Sequence, residues 1–127
     1  MTIVIADDHT VMRNGLRLLL EAESDLHVVS EAGSVQAVFS VVRSHRPTVL
    51  LLDLNMPGGS SVEAITRLRR MSPGTAIVVL TMEDEPVFMR KAYAAGASGY
   101  VLKDSAATEL VKAIRAAAAH PPGPPRR

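Results

Sequence analysis

The sequence predicts an α/β domain with a doubly wound, five-stranded parallel sheet. Short, uninterrupted apolar runs alternate five times with helix-like segments, which is typical of a (βα)5 chain whose sheet is covered on both faces. Four of these runs also end in polar side chains of a kind that bind metal or phosphate. They are IVIADD (3–8), TVLLLD (48–53), AIVVLT (76–81) and GYVLK (99–103).

The first half of the chain contains two strand-like and two helix-like segments. The first strand is predicted at Ile3–Ala6, followed by a helix from about Thr10 to Glu23. Leu26–Ala32 alternates more and ends polar, which indicates an edge strand. Ser34 is a suitable N-cap for a second helix, which stops before Pro47. Apolar residues recur at helical spacing in both helices: Val11, Gly15, Leu16, Leu19 and Leu20, then Val35, Val38, Val41 and Val42.

The second half begins with the most apolar strand, Val49–Leu52, which we expect at the centre of the sheet. Pro57-Gly58-Gly59 indicates a loop, and Ser60 or Ser61 caps a third helix that ends at Ser72-Pro73-Gly74. The remaining elements are a strand at Ile77–Leu80, a helix at Glu85 to Ala95 closed by Gly96, a short strand at Tyr100–Leu102 and a last helix opened by Ser105.

Length and composition limit the classes of function. The 127 residues suffice for one domain with a core of its own, predicted at residues 1–119. Cysteine is absent, which excludes disulfides and thiolate metal sites, while a net charge of +1 and 3% aromatic residues argue against a nucleic-acid surface. The chain enters strand-like sequence with no signal-peptide pattern, and its apolar runs are too short to span a bilayer. We therefore expect a cytoplasmic domain that contacts no membrane.

Residues 120–127 differ in composition from the rest of the chain. Four prolines and a glycine precede two terminal arginines. Such a segment neither continues a helix nor joins a sheet. We interpret it as a semi-rigid linker or a terminal tail.

Polar side chains that follow parallel strands meet at the carboxyl edge of the sheet. We expect this edge to bring together Asp7, Asp8, Asp53, Thr81 and Lys103. Three carboxylates repel one another unless a cation lies among them, and oxygen ligands at this density suit Mg²⁺. Taken singly, these residues have plainer interpretations as a solvated acidic loop, a capping aspartate, a strand-end threonine and a surface lysine. Their convergence favours a functional site.

Asp53 is the candidate reacting group because it ends the most apolar strand, which holds its carboxylate rigidly. A carboxylate attacks phosphorus to give an acyl phosphate when a cation shields its charge. Lys103 is suited to pair with Asp53 at rest and with a phosphoryl oxygen afterwards. Thr81 adds a hydroxyl from the strand between them. The sequence thus predicts phosphoryl transfer onto Asp53.

Taken together, these residues resemble the receiver domains of bacterial two-component response regulators. The resemblance extends over about Thr2 to Ala119, in the right order and spacing. His9 after the acidic pair and Asp104 after Lys103 resemble the NarL/FixJ branch, whose members usually carry a LuxR-type helix-turn-helix domain after the receiver. The resemblance implies a flavodoxin-like sheet of order 2-1-3-4-5. The matching pieces are IADDH (5–9), DLNMPG (53–58), LT (80–81) and GASGYVLKD (96–104).

The resemblance also implies a role for each acidic residue. Asp53 would be phosphorylated by a cognate sensor histidine kinase, so the chain would be a phosphoacceptor with at most slow self-dephosphorylation, and not an enzyme. Asp8, Asp53 and the backbone carbonyl of Asn55 would bind Mg²⁺ directly. Asp7 would act mainly through water.

The remaining implied roles concern the response to phosphorylation. Thr81 and Lys103 would hold the phosphoryl oxygens, and Asn55 and Glu83 would tune hydrolysis of the acyl phosphate. Thr81 would move toward the new charge and Tyr100 would rotate inward, which biases the fourth helix and fifth strand. The expected output is homodimerisation or a changed grip on an output domain that regulates transcription. DNA would be bound only through a helix-turn-helix domain outside this chain.

Two residues depart from the family pattern. Ser61 stands where many relatives have glycine, which would alter how the chain leaves the loop after Pro57. Met82 is bulkier than the small residue common beside Thr81, which would slow the entry of a phosphodonor. Apolar residues of the first and last helices fit either the core or a dimer contact: Leu16, Leu20 and Val111.

Three other functions remain open from the sequence. A haloacid-dehalogenase-like phosphatase also uses an aspartyl nucleophile with Mg²⁺, but that class has a D-x-D arrangement where this chain has Asn55. A flavodoxin-like binder of a nucleotide or flavin would need a phosphate cradle after the first strand, where Asp7 and Asp8 repel phosphate. The third function is that of an interaction module that works without phosphate. The presence of every reacting group of a phosphorylation site argues against it.

Overall fold

Five parallel strands form one sheet in the order β2-β1-β3-β4-β5. The computed structural model describes residues 1–58 and 61–119, with the backbone alone at Ser61. The strands are β1 (Thr2–Ala6), β2 (His27–Ala32), β3 (Val49–Asp53), β4 (Ala76–Thr81) and β5 (Gly99–Leu102). The helices are α1 (Thr10–Glu21), α2 (Val35–His45), α3 (Ser61–Met71), α4 (Pro86–Ala95) and α5 (Ala106–Ala119), with a 3₁₀ turn at Lys103–Ser105 before α5. The predicted fold class and strand order are confirmed, whereas the predicted tail at 120–127 lies outside the described residues.

The two faces of the sheet carry separate cores. Helices α1 and α5 cover one face, and α2, α3 and α4 cover the other. Successive residues of a strand point to opposite faces. Ile3 and Ile5 therefore enter the first core, while Val4 and Ala6 enter the second. Burial on both faces is the reason that these strands are uninterrupted apolar runs.

The position of each strand in the sheet follows its hydrophobic pattern. Every residue of β3 and β4 is buried, and these strands occupy interior positions of the sheet. In β2, exposed and buried residues alternate at first, and this strand lies at an edge. The expected central place of Val49–Leu52 and edge place of Leu26–Ala32 are both confirmed.

The inward face of α1 differs in part from the predicted one. Leu16 and Leu20 are buried against the sheet, but Val11 is 85% exposed. Val11 precedes Leu16 by five residues, which rotates it by about 140° around the helix axis, away from the sheet. Leu16 and Leu20 thus belong to the core, whereas Val111 of α5 is only partly buried.

Specific caps hold the ends of the helices that flank the site. The hydroxyl of Ser34 accepts a hydrogen bond from the Ala37 amide at 3.2 Å, so the predicted N-cap of α2 is confirmed. The amide of Val35 donates to the Pro57 carbonyl at 3.1 Å. This bond ties the loop after β3 to the beginning of α2. Gly96 ends α4 with φ at +120°, a conformation that favours glycine.

The described helices include none with the length and apolar character required to cross a bilayer.

Two glycine substitutions should have opposite effects on stability. A Cβ at exposed Gly15 of α1 would meet no atom within 4 Å, so Gly15→Ala should raise the free energy of unfolding by about 0.5–1 kcal/mol. A Cβ at Gly96 would lie 2.7 Å from Arg69 Cγ in a strained backbone conformation, so Gly96→Ala should lower it by about 1–3 kcal/mol. Urea unfolding of both variants beside the wild type measures the difference. Equal effects of the same sign would contradict the assignment of these backbone conformations.

Candidate metal centre

The side chains predicted to form the site follow four neighbouring strands. Asp7 and Asp8 come after β1, Asp53 ends β3, Thr81 ends β4 and Lys103 comes after β5. Asp53 lies opposite Leu80 in the register of β3 and β4, so Thr81 extends one residue further along the same edge. The structure therefore brings to the carboxyl edge the residues that the sequence placed there.

One ammonium group lies between two buried carboxylates. Lys103 Nζ lies 3.2 Å from Asp53 Oδ2 and 3.5 Å from Asp7 Oδ2. The side chain of Lys103 is 9% exposed, and those of Asp7 and Asp53 are not exposed at all. Because water screens such a group poorly, the single positive charge is held firmly but does not balance both carboxylates.

Each strand-end side chain also fixes the turn that follows it. An oxygen of Asp7 accepts a hydrogen bond from the His9 amide at 2.8 Å, and Asp53 Oδ1 accepts one from the Asn55 amide at 3.0 Å. In the same way Thr81 Oγ1 accepts one from the Glu83 amide at 3.1 Å. Side chains that bond the backbone two residues on are typical of tight turns. In both aspartates this uses Oδ1 and leaves Oδ2 toward Lys103.

The remaining carboxylate oxygens suit a divalent cation. Asp7 Oδ2 and Asp8 Oδ1 are buried and accept no hydrogen bond. One ligand atom from each of Asp7, Asp8, His9 and Asp53 lies within 4.8 Å of every other. Hard oxygen donors at this density, with two buried atoms lacking hydrogen bonds, fit the coordination that Mg²⁺ accepts. The acidic cluster is thus consistent with a metal site.

A pair of arginines braces the acidic edge, and the sequence did not reveal it. Arg13 Nη1 donates to the Asp7 carbonyl at 2.5 Å, and its Nε donates to Glu31 at 3.0 Å. Arg17 also binds the carboxylate of Glu31. Two features of the sequence could have indicated these contacts: the polar end of the edge strand, and two arginines four residues apart on the first helix. These contacts hold the end of β1 by its backbone, next to the carboxylates.

Glu83 connects Thr81 to Tyr100. Its amide donates to Thr81 Oγ1, and its carbonyl accepts a hydrogen bond from the Tyr100 hydroxyl at 2.6 Å. Burial, assisted by the nearby carboxylates of Glu83 and Asp84, raises the pKa of the Tyr100 phenol above its ordinary value, while its contact with Thr81 acts in the opposite direction. The two residues predicted to act together thus both contact the backbone of Glu83, one at its amide and the other at its carbonyl.

The two departures from the family pattern lie at the start of α3 and directly after Thr81. Met82 is 57% exposed beside Thr81, at the solvent side of the edge. Ser61 begins α3, but its side chain is outside what the structure describes. Their effects on donor entry and on the loop stay predictions.

Comparison with known proteins places this arrangement in one family. A family model described as the response regulator receiver domain matches residues 3–115. Among curated proteins, the chain is 40% identical over 116 residues to the oxygen regulatory protein NreC of Staphylococcus epidermidis. That match covers 91% of this chain and 53% of NreC. The chain thus spans about half the length of the curated relatives it matches.

Solved structures share the fold at appreciable sequence identity. A two-component response regulator of the LuxR family from Aurantimonas sp. superposes with a TM-score of 0.90 at 36% identity, covering 96% of this chain and 87% of that one. The isolated REC domain of RcsB from Salmonella enterica serovar Typhimurium, in the presence of phosphomimetic BeF3⁻, gives a TM-score of 0.88 at 32% identity. The match covers 99% of this chain and 94% of the RcsB domain.

Removal of the shared ammonium should destabilise the fold. Lys103→Met leaves two fully buried carboxylates without their cation, and we expect the free energy of unfolding to fall by about 3 kcal/mol. Lys112→Met removes an exposed lysine of α5 and should change it by less than about 0.5 kcal/mol. Urea unfolding without divalent ions makes the comparison. Equal stability of the two variants would show that Lys103 does not neutralise the carboxylates.

Titration of the phenols should report the environment of Tyr100. Because its pKa is raised in the folded state, the stabilisation from the neutral phenol is complete below about pH 10.0 and is lost as the pH rises through the folded-state pKa. Ultraviolet absorption of tyrosinate should therefore show a step above pH 10.0. Tyr100→Phe should remove that step, and Tyr93→Phe, which removes the chain's other phenol, should keep it. A late step that survives Tyr100→Phe would refute the assignment.

Proposed function

Because this chain belongs to the response regulator receiver domain family, we propose that it is a phosphorylation-activated signalling switch. Asp53 accepts a phosphoryl group from a cognate sensor histidine kinase, and the modified domain changes its contacts. The observation that carries the proposal is the convergence of Asp7, Asp8, Asp53 and Lys103 at the carboxyl edge of the sheet.

Mg²⁺ is the proposed cofactor of this transfer. Asp8, Asp53 and the backbone carbonyl of Asn55 would hold it, and Asp7 would act through water. The buried oxygens of Asp7 and Asp8 that accept no hydrogen bond support this assignment. When bound, the ion neutralises charge on the carboxylate nucleophile and on the phosphoryl group.

The chemistry on Asp53 is a displacement at phosphorus. A carboxylate oxygen attacks the phosphorus of phosphohistidine, the P–O bond forms as the P–N bond breaks, and the kinase imidazole leaves with the electron pair of that bond. Lys103 then pairs with a phosphoryl oxygen, and the Thr81 hydroxyl donates to another. The chain is thus a phosphoacceptor with at most slow self-dephosphorylation, at a rate that Asn55 and Glu83 tune.

The two alternatives that bind phosphate differently gain no support from the site. A dehalogenase-like phosphatase needs a second acid two residues after its nucleophile, where this chain has Asn55. A flavin or nucleotide binder needs amide donors for phosphate after β1, where Asp7 and Asp8 place carboxylates instead.

The conformational response starts at Thr81. Phosphorylation adds about 1.5 to 2 negative charges at Asp53, and Thr81 moves toward them. That movement breaks its bond with the Glu83 amide and alters the carbonyl that Tyr100 holds. Tyr100 then settles inward, and α4 and β5 shift. Of the ten residues in α4, Ala92 is the one that is buried, so the helix can move at small cost.

The proposed output of the switch acts through a domain outside this chain. We propose that residues 1–119 are the receiver domain and that residues 120–127 link it to a LuxR-type helix-turn-helix domain, which alone contacts DNA. The short span of this chain relative to its relatives supports a following domain. Phosphorylation would promote a homodimer and thereby regulate transcription in the cytoplasm.

Beryllofluoride and Mg²⁺ test the switch directly. We expect them to raise the solution mass of the wild type from monomer toward dimer and to shift the NMR signals of Tyr100 and α4, because the complex mimics a phosphorylated Asp53. After exposure to acetyl phosphate, intact mass spectrometry should show one added phosphoryl group on Asp53.

Asp53→Asn should abolish both responses, because its amide is not a nucleophile. Asp25→Asn removes an exposed carboxylate near α5 and should respond as the wild type does. If Asp53→Asn responds like the wild type, or if no phosphoryl group is found on the wild type, the proposed function is wrong.

A further inference from the structure

We propose that His9 supplies a nitrogen ligand to the acidic cluster and shifts the ion preference of the site toward transition metals such as Co²⁺. The proposal rests on the proposed metal site and adds a residue to it. The side chain of His9 lies at the solvent edge of the cluster and is 69% exposed. Of the four residues whose donor atoms form the cluster Asp7, Asp8, His9 and Asp53, His9 is the one without a carboxylate.

The distances around His9 are those of neighbouring ligands on one ion. His9 Nδ1 lies 3.1 Å from Asp8 Oδ1 and 3.4 Å from Asp7 Oδ1. Two adjacent ligands in an octahedron, each about 2.1 Å from the ion, lie about 3 Å apart. The four donor atoms spread over up to 4.8 Å, more than the distance of about 4.2 Å between opposite ligands, which agrees with Asp7 acting through water. One ion bound by Asp8 can therefore also contact His9.

Hydrogen bonding does not account for the position of the ring. Asp8 Oδ1 accepts no hydrogen bond even though His9 Nδ1 is 3.1 Å away. His9 is the N-cap residue of α1, yet its side chain makes no capping hydrogen bond. The backbone is held on both sides, since its amide donates to Asp7 Oδ1 and its carbonyl accepts from the Arg13 amide at 2.9 Å. The fixed backbone keeps the ring within ion-pair distance of the carboxylates of Asp7 and Asp8, a position from which it can bind an ion that they hold.

The charge of the site favours a neutral ligand over a fourth carboxylate. Three carboxylates already share this edge with a single ammonium, so a further anion would add repulsion, whereas a neutral imidazole adds none. Imidazole binds transition ions well, whereas Mg²⁺ prefers oxygen. A site with His9 as ligand therefore binds Co²⁺ more tightly, relative to Mg²⁺, than the same site with oxygen donors alone.

Parallel calorimetric titrations with Co²⁺ and with Mg²⁺ test the assignment on the wild type, His9→Ala and His45→Ala. We expect His9→Ala to weaken Co²⁺ binding about tenfold and Mg²⁺ binding far less. His45→Ala removes an exposed imidazole on α2, away from the cluster, and should change neither. In NMR spectra of the Co²⁺ form, hyperfine-shifted imidazole protons should be present in the wild type and missing from His9→Ala. Unfolding curves confirm that each variant is folded.

The alternatives give different results. An equal loss for both ions would mean that His9 only orders the carboxylates, and tighter binding by His9→Ala would mean that the ring competes with the ion; either result overturns the proposal. If the wild type binds neither ion, or if Asp53→Asn binds both as the wild type does, the metal site itself is wrong. If Mg²⁺ binding depends on Asp53 but the ratio of Co²⁺ to Mg²⁺ affinity is the same in His9→Ala as in the wild type, only the present inference is overturned.

Discussion

Two buried carboxylates share one nearly buried ammonium at the carboxyl edge of the sheet, and that contact depends on the arrangement of the strands. Asp7 follows β1, Asp53 ends β3 and Lys103 follows β5, so the three side chains meet only if β1 and β3 are neighbours and the chain after β5 reaches back past β4. One positive charge does not balance the carboxylates, since Asp8 adds a third. The residual negative charge in a poorly screened site is the physical reason to expect that the edge has affinity for a cation.

The turns that follow the strands fix the positions of the side chains in the site. Asp7, Asp53 and Thr81 each bind the amide two residues further on, at 2.8, 3.0 and 3.1 Å. The side chain thus fixes its own turn, and the turn in turn fixes the side chain. In the two aspartates the second oxygen lies near Lys103. Small residues could form the same turns, but they would leave no oxygen for the site.

The sequence sufficed for the fold and for the convergence of the site residues, because both follow from where apolar runs stop. It was insufficient where contacts depend on side-chain rotamers. No periodic pattern in the sequence predicts that Arg13 donates to the Asp7 carbonyl or that Tyr100 donates to the Glu83 carbonyl. Val11 was misplaced for a different reason: it precedes Leu16 by five residues, and this spacing places it about 140° around the helix axis from the buried face of α1.

In the proposed switch, Glu83 connects the site at the carboxyl edge of the sheet to the exposed surface of α4. Its amide donates to Thr81 and its carbonyl accepts from Tyr100, so the two peptide planes that meet at its Cα are each held by one hydrogen bond. Release of the first plane when Thr81 leaves would free the backbone dihedral angles of Glu83 and so displace the carbonyl that accepts from the phenol. Since α4 begins at Pro86, three residues later, and buries little of itself, the displacement is opposed by few packed side chains. A charge added at Asp53 can therefore reach the exposed residues of α4, Val87, Met89 and Tyr93, through two hydrogen bonds to one residue.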